Sequence, residues 1–146
     1  MKKFLLVLIV VLVVMQFFRI DKTNPPVDPQ LDFITLNQPP EEVANLMRTS
    51  CYDCHGNTTE YPWYTNIAPV SWWIKGHIKN ARARVNYSEW GKYTKQQQNN
   101  YLSEIAEVIE EKRMPAATYM IMHPPAKLSD AQRTTIVSWI ASSTAP

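Results

Sequence analysis

The chain opens on a block with no polar positions to give it a face. Phe4 to Met15 is apolar without interruption, and beyond Gln16 the run Phe17-Phe18-Arg19-Ile20 continues it more weakly. A segment that is apolar all round does not behave as the surface helix of a globular domain. Lys2 and Lys3 precede it, which keeps the start in the cytoplasm and sends the remainder across. Phe4 to Ile20 just reaches the roughly 17–25 mostly apolar residues a spanning helix needs. Val14 to Phe18 offers no small-residue cleavage site. We therefore expect an uncleaved signal anchor, a transmembrane helix, over 1–20, with a cleaved signal peptide as the alternative.

Residues 21–40 hold five prolines (25, 26, 29, 39 and 40) and no helical period. Such a stretch predicts a semi-rigid, extended linker. Leu31, Phe33, Ile34 and Leu36 are apolar enough to lie along the surface of the adjoining domain.

From 41 to 146 the pattern turns helical. Val43, Leu46 and Met47 form a stripe after Glu41-Glu42, running into Cys51, and Gly56-Asn57 breaks it. Ser71 is placed to cap a helix to about Val85, with Ile74, Ile78 and Ala81 on one face and Trp73 and His77 on another. Thr94-Lys-Gln-Gln97 is a capping box before Tyr101, Leu102, Ile105, Val108 and Ile109, and that helix should stop near Met114-Pro115. Ser129 to Gln132 repeats the box before Ile136, Val137, Trp139 and Ile140. No strand is predicted, so the fold class is all-α.

Charge changes the picture little. The net charge is +2, but Lys2, Lys3 and Arg19 are three of fifteen cations while all thirteen acids lie beyond position 20, leaving the remainder at −1. No basic excess points to nucleic acid. Lys75, Lys79, Arg82 and Arg84 share one helix and suit a solvated face, a docking patch for an acidic redox partner, or neutralisation of carboxylates on a cofactor.

The chemistry lies in Cys51-Tyr52-Asp53-Cys54-His55, which contains both cysteines of the chain. C-x-x-C followed by histidine is the attachment signature of a c-type haem. Two thiols on one helical turn reach one edge of a flat macrocycle, and the next imidazole turns under the metal. A redox disulfide belongs near a strand–helix–strand pattern that is absent here, and half a zinc site lacks its second ligand pair. We expect one covalent haem c on Cys51 and Cys54, with His55 as proximal iron ligand. Met114 is the candidate for the sixth position, since Pro115 fixes its loop between two helices. His77 is the rival, and His123, Met120, Met122 or an open site are further alternatives. Tyr61, Trp63 and Tyr64 could wall the porphyrin or simply pack a long loop.

From Glu41 onward the outline resembles class I cytochromes c: a helix into CxxCH, a Met-Pro loop and a capped C-terminal helix. A closer resemblance is to the small, membrane-tethered haem-binding domain proteins of bacterial envelopes. It rests on TSCYDCHGNTTEYPWY, PVSWWIKGHI, NYSEWGKY, RMPAATYMIMHPPAKLS and the closing SWI. The resemblance implies a c-type haem on Cys51, Cys54 and His55, and it places His77 and Met114 in recurrent motifs without choosing between them. The expected product is a membrane-anchored monohaem electron carrier with its haem domain in the periplasm, passing electrons among envelope redox partners. A haem-based sensor or ligand-binding module, or an accessory to a haem peroxidase, is the alternative. No acid–base or nucleophile constellation suggests independent catalysis.

Overall fold

In the computed structural model, which describes residues 1–143, eight α-helices run in order: α1 Lys2–Met15, α2 Phe33–Asn37, α3 Glu41–Ser50, α4 Tyr52–His55, α5 Val70–Arg84, α6 Lys95–Glu110, α7 Ala117–Met122 and α8 Asp130–Ser143. Short 3-10 segments lie between them, and no strand occurs among the described residues, so the chain is all-α. Both capping boxes form. Thr94 Oγ accepts from Gln97 N at 3.3 Å while the Gln97 side chain accepts from Thr94 N at 2.9 Å. Ser129 and Gln132 repeat the exchange at 3.2 and 2.8 Å. Each box satisfies donors that a helix start leaves open.

These two helices pack together, burying Leu102, Ile105 and Ile109 from α6 against Ile136 and Ile140 from α8. Val43 and Met47 of α3 join the same core. At its centre Trp90, fully buried, meets Phe33 edge-on at 4.7 Å, and Phe33 in turn meets Trp139 at 5.9 Å.

Phe33 belongs to the stretch expected to be linker. Residues 21–28 do lack regular structure, but Pro29–Leu31 and α2 are helical and pack on the 3-10 segment Tyr87–Lys92. Asp32 caps α2 by accepting from Ile34 N at 2.9 Å. Gly91 admits the contact, because a Cβ there would stand 2.8 Å from Leu31 Cδ2 and 3.2 Å from Leu31 Cα. Even the irregular part is fastened, with Asn24 Nδ2 donating to Thr59 O at 2.9 Å. The segment is laid onto the domain, because burying an aromatic outweighs what proline-rich composition alone favours.

The N-terminal expectation also needs correction. The helix stops at Met15, where Phe4 to Ile20 was expected to run through, and no helix among the described residues is long and apolar enough to cross a membrane. Gln16 ends it. Its amide donates to Leu12 O at 2.7 Å and to Ala68 O at 3.1 Å, and accepts from Ala68 N at 2.9 Å. Those bonds turn the chain toward the domain. Ser71, expected as a cap, lies inside α5 and is buried; Pro69 precedes the helix instead.

Candidate functional site

The motif is a single turn wound on one carbonyl. Helix α3 ends at Ser50, Cys51 leaves helical geometry (φ −129°, ψ −38°), and Cys51 O then accepts from Cys54 N at 3.2 Å and His55 N at 2.9 Å. Flanking residues pin the turn: Ser50 Oγ donates to Ala126 O at 3.0 Å and Tyr52 Oη to Asp32 Oδ2 at 3.0 Å. Gly56 closes it, because a Cβ there would lie 2.9 Å from Tyr52 O. Beyond, a buried network fixes the exit. Asn57 N donates to Ser88 Oγ at 2.9 Å, and Asn86 Nδ2 to Asn57 Oδ1 at 2.8 Å.

His55 lies partly buried against Tyr87, ring centroids 5.6 Å apart, with Nδ1 3.1 Å from Val85 O. Burial pushes its pKa below the ordinary value, against the smaller opposing pull of the Val85 and Ala81 carbonyls. A neutral ring with its Nδ1–H on a backbone carbonyl leaves Nε2 as the lone-pair nitrogen, the arrangement of metal-bound histidines. Both cysteines are free thiols. Burial pushes Cys51 up to about 12 and Cys54 up to about 11, with Asp53 adding to the latter. At neutral pH both are protonated.

Of the cavities beside the turn, two are lined by its thiols. One of about 510 Å³ is lined by Cys51, His55, Tyr87, Ile105, Val108 and Met114, with Arg84 and Arg113 also in its wall. The second, about 230 Å³, is lined by Cys54, Trp73, His77, Tyr119, Met122 and His123 among others. Of the candidates for the sixth position, Met114 shares a cavity with His55, and His77 does not. His77 is exposed, rests on Trp73 at 4.1 Å between centroids, and its Nδ1 lies 3.0 Å from Trp73 O. His123 is stacked on Tyr119 at 4.0 Å, with Nε2 3.2 Å from Tyr64 Oη. Met120 and Met122 belong to α7, a helix the sequence pattern did not announce. Tyr64 lines the smaller cavity, and Trp63 is exposed.

Met114 is held from two directions. Helix α6 ends in a Schellman turn: Lys112 is left-handed (φ 58°), its N–H bonds Ile109 O at 3.1 Å, and Arg113 N bonds Val108 O at 3.0 Å. Arg133, buried on α8, then donates to Ile109 O at 2.8 Å and Met114 O at 2.6 Å. Sequence reasoning missed Arg133, although it shares the helical face of Ile136 and Ile140, where a charge is out of place. The basic helix divides. Arg84 reaches the large cavity, whereas Arg82 is spent on Gly56 O at 2.8 Å and Thr59 Oγ1 at 2.9 Å.

These residues fit a haem. A thiol, a neutral imidazole, a thioether and two guanidinium groups surround a cavity whose size lies within the ~300–1,000 Å³ of cofactor sites. The departure is Cys54, which faces the smaller cavity. Among the described residues no three His, Cys, Asp or Glu side chains gather as a metal cage.

Compared with known proteins, the chain matches a family model described as a haem-binding domain over residues 10–142. No curated protein and no solved structure matches it.

Proposed function

The chain belongs to the haem-binding domain family and is a haem-binding protein, and from that premise we propose that it is a membrane-tethered, monohaem c-type electron carrier of the bacterial envelope. One observation carries the reading: His55 and Met114 line a single cavity with Cys51. Haem iron, once bound, supplies a one-electron couple, and a His/Met pair suits electron transfer. Cys51 and Cys54 would form the thioethers, as free thiols able to add to the vinyl groups. His55 would hold the metal through Nε2, with Val85 O fixing the ring. Arg84 and Arg113 would face the propionates. They are already balanced by Glu104 at 2.9 Å and Glu107 at 2.9 Å. Ile105, Val108 and Tyr87 would keep water from the cavity. The apolar α1 supports tethering, since none of its residues is buried by the domain.

A ligand-binding role has one observation in its favour: Met114 is 38% exposed and is within reach of a competing ligand. Spectra of the purified holoprotein separate the two. The carrier predicts a low-spin oxidised spectrum with the far-red sulfur-to-iron band, unchanged by CO in the reduced state. Rapid CO binding with a high-spin resting spectrum would favour the sensor.

A further inference from the structure

The domain does not hang away from its apolar helix. At 1.5 Å per residue, the fourteen residues of α1 span roughly 21 Å, short of the ~30 Å hydrocarbon core. The chain after it is fastened to one face of the domain within a few residues. Gln16 clasps Ala68 through both amide atoms, Trp72 Nε1 donates to Phe18 O at 2.7 Å, and Lys75 Nζ donates to Asp21 O at 2.6 Å.

That face is unusually apolar for a protein surface. Trp63, Ile67, Val70, Trp72 and Trp73 are all exposed, Trp63 by 68% and Trp73 by 49%, and they come from one stretch ending in the first turn of α5. Phe17 and Phe18, exposed by 81% and 65%, continue it toward α1. A soluble domain buries such aromatics or uses them. Lys22 bonds Asn66 and Lys75 bonds Asp21 O within this region, and Arg19 and Lys79 are near neighbours in sequence, against the acids Asp21, Asp53 and Glu60. Indole rings that are half wet, rimmed by cations and continuous with a helix that needs hydrocarbon, match the chemistry of the bilayer interface.

We propose that the face Trp63–Trp73 docks on the surface of an anionic phospholipid bilayer, so that the haem domain rests on the membrane that α1 enters. The occupant is lipid because the apolar patch is continuous with α1 and the flanking charge is positive; a protein partner would have no reason to share α1's solvent. Docked this way, Gln16 lies at the entry point with its amide already satisfied, so turning the chain there leaves no polar group unpaired in the interface. Lys22, which bonds Asn66, and Lys75 would lie at headgroup level. The inference rests on the proposed tethering and replaces a flexible stalk with a fixed pose.

The test uses the full-length holoprotein in vesicles of phosphatidylethanolamine and phosphatidylglycerol doped with a diazirine-bearing phospholipid, with peptide mapping of the photo-adducts. Docking predicts adducts both in residues 1–20 and in the peptide holding Trp63 to Trp73, with the second set reduced severalfold in vesicles lacking phosphatidylglycerol. Adducts confined to 1–20 would overturn docking while leaving the tether intact. Absence of adducts throughout would overturn both. A Trp63→Ser/Ile67→Ser variant serves as control: both side chains are exposed and line neither cavity beside the motif, so the haem spectrum should persist while the second set of adducts falls at least threefold.

Discussion

Arg133 Nη1 lies 2.6 Å from Met114 O and 2.8 Å from Ile109 O. A buried guanidinium from the last helix thus holds, by its backbone, the loop that presents a thioether to the His55 cavity. Charge-assisted bonds to backbone oxygens are short and strong; removing the donor takes the guanidinium from Met114 O and leaves Ile109 O with only its bond from Lys112 N at 3.1 Å. Arg133→Met keeps much of the volume and the apolar packing. It should cost about 2–3 kcal/mol in denaturant unfolding and, in the holoprotein, weaken the sulfur-to-iron band by loosening Met114. An unchanged band with lowered stability would reduce Arg133 to a purely structural residue.

Met114→Ala and His77→Ala should part company. Because Met114 lines the cavity of His55 and His77 lines the other, Met114→Ala should turn the oxidised spectrum high-spin and open it to cyanide. His77→Ala should leave the spectrum as in the parent. The reverse pattern would hand the sixth position to His77.

Phe33→Ala measures whether the proline-rich segment is part of the domain. The ring is fully buried and meets Trp90, Tyr87 and Trp139. Its truncation should cost about 3–5 kcal/mol; a loose tether would register nothing above the ~0.5 kcal/mol of a surface change.

Gly56→Ala should damage the site locally. The added methyl would press on Tyr52 O and Tyr52 Cδ1, at 2.9 and 3.0 Å, inside the turn that carries His55. We expect a loss of about 1–3 kcal/mol from this overpacking and a lower yield of haem-loaded protein, read as the ratio of Soret to protein absorbance.

The helical class was legible because its signals are local. The capping boxes at Thr94 and Ser129, and the Leu102–Ile109 and Ile136–Ile140 stripes, are decided within a few turns of their own sequence. The C-x-x-C-H signature likewise carries its meaning in five residues. What stayed hidden depends on distant partners. Phe33 looks like an apolar residue in a linker until Trp90 and Trp139 are brought to it. Gln16 ends α1 partly because Ala68 is there to bond its amide, accepting at O and donating from N. Which of Met114 and His77 shares a cavity with His55 depends on the side of one helical turn each residue lies on, a distinction no spacing encodes.

The central claim is that the two cysteines hold one haem covalently. Intact-mass spectrometry of the denatured full chain, produced in a cell with c-type maturation, tests it most directly. Covalent attachment predicts the mass of the exported chain plus one haem and no thiol left to alkylate, with Cys51→Ala and Cys54→Ala each weakening retention. A chain of polypeptide mass alone, with both thiols alkylated and haem recovered in the solvent, would contradict it.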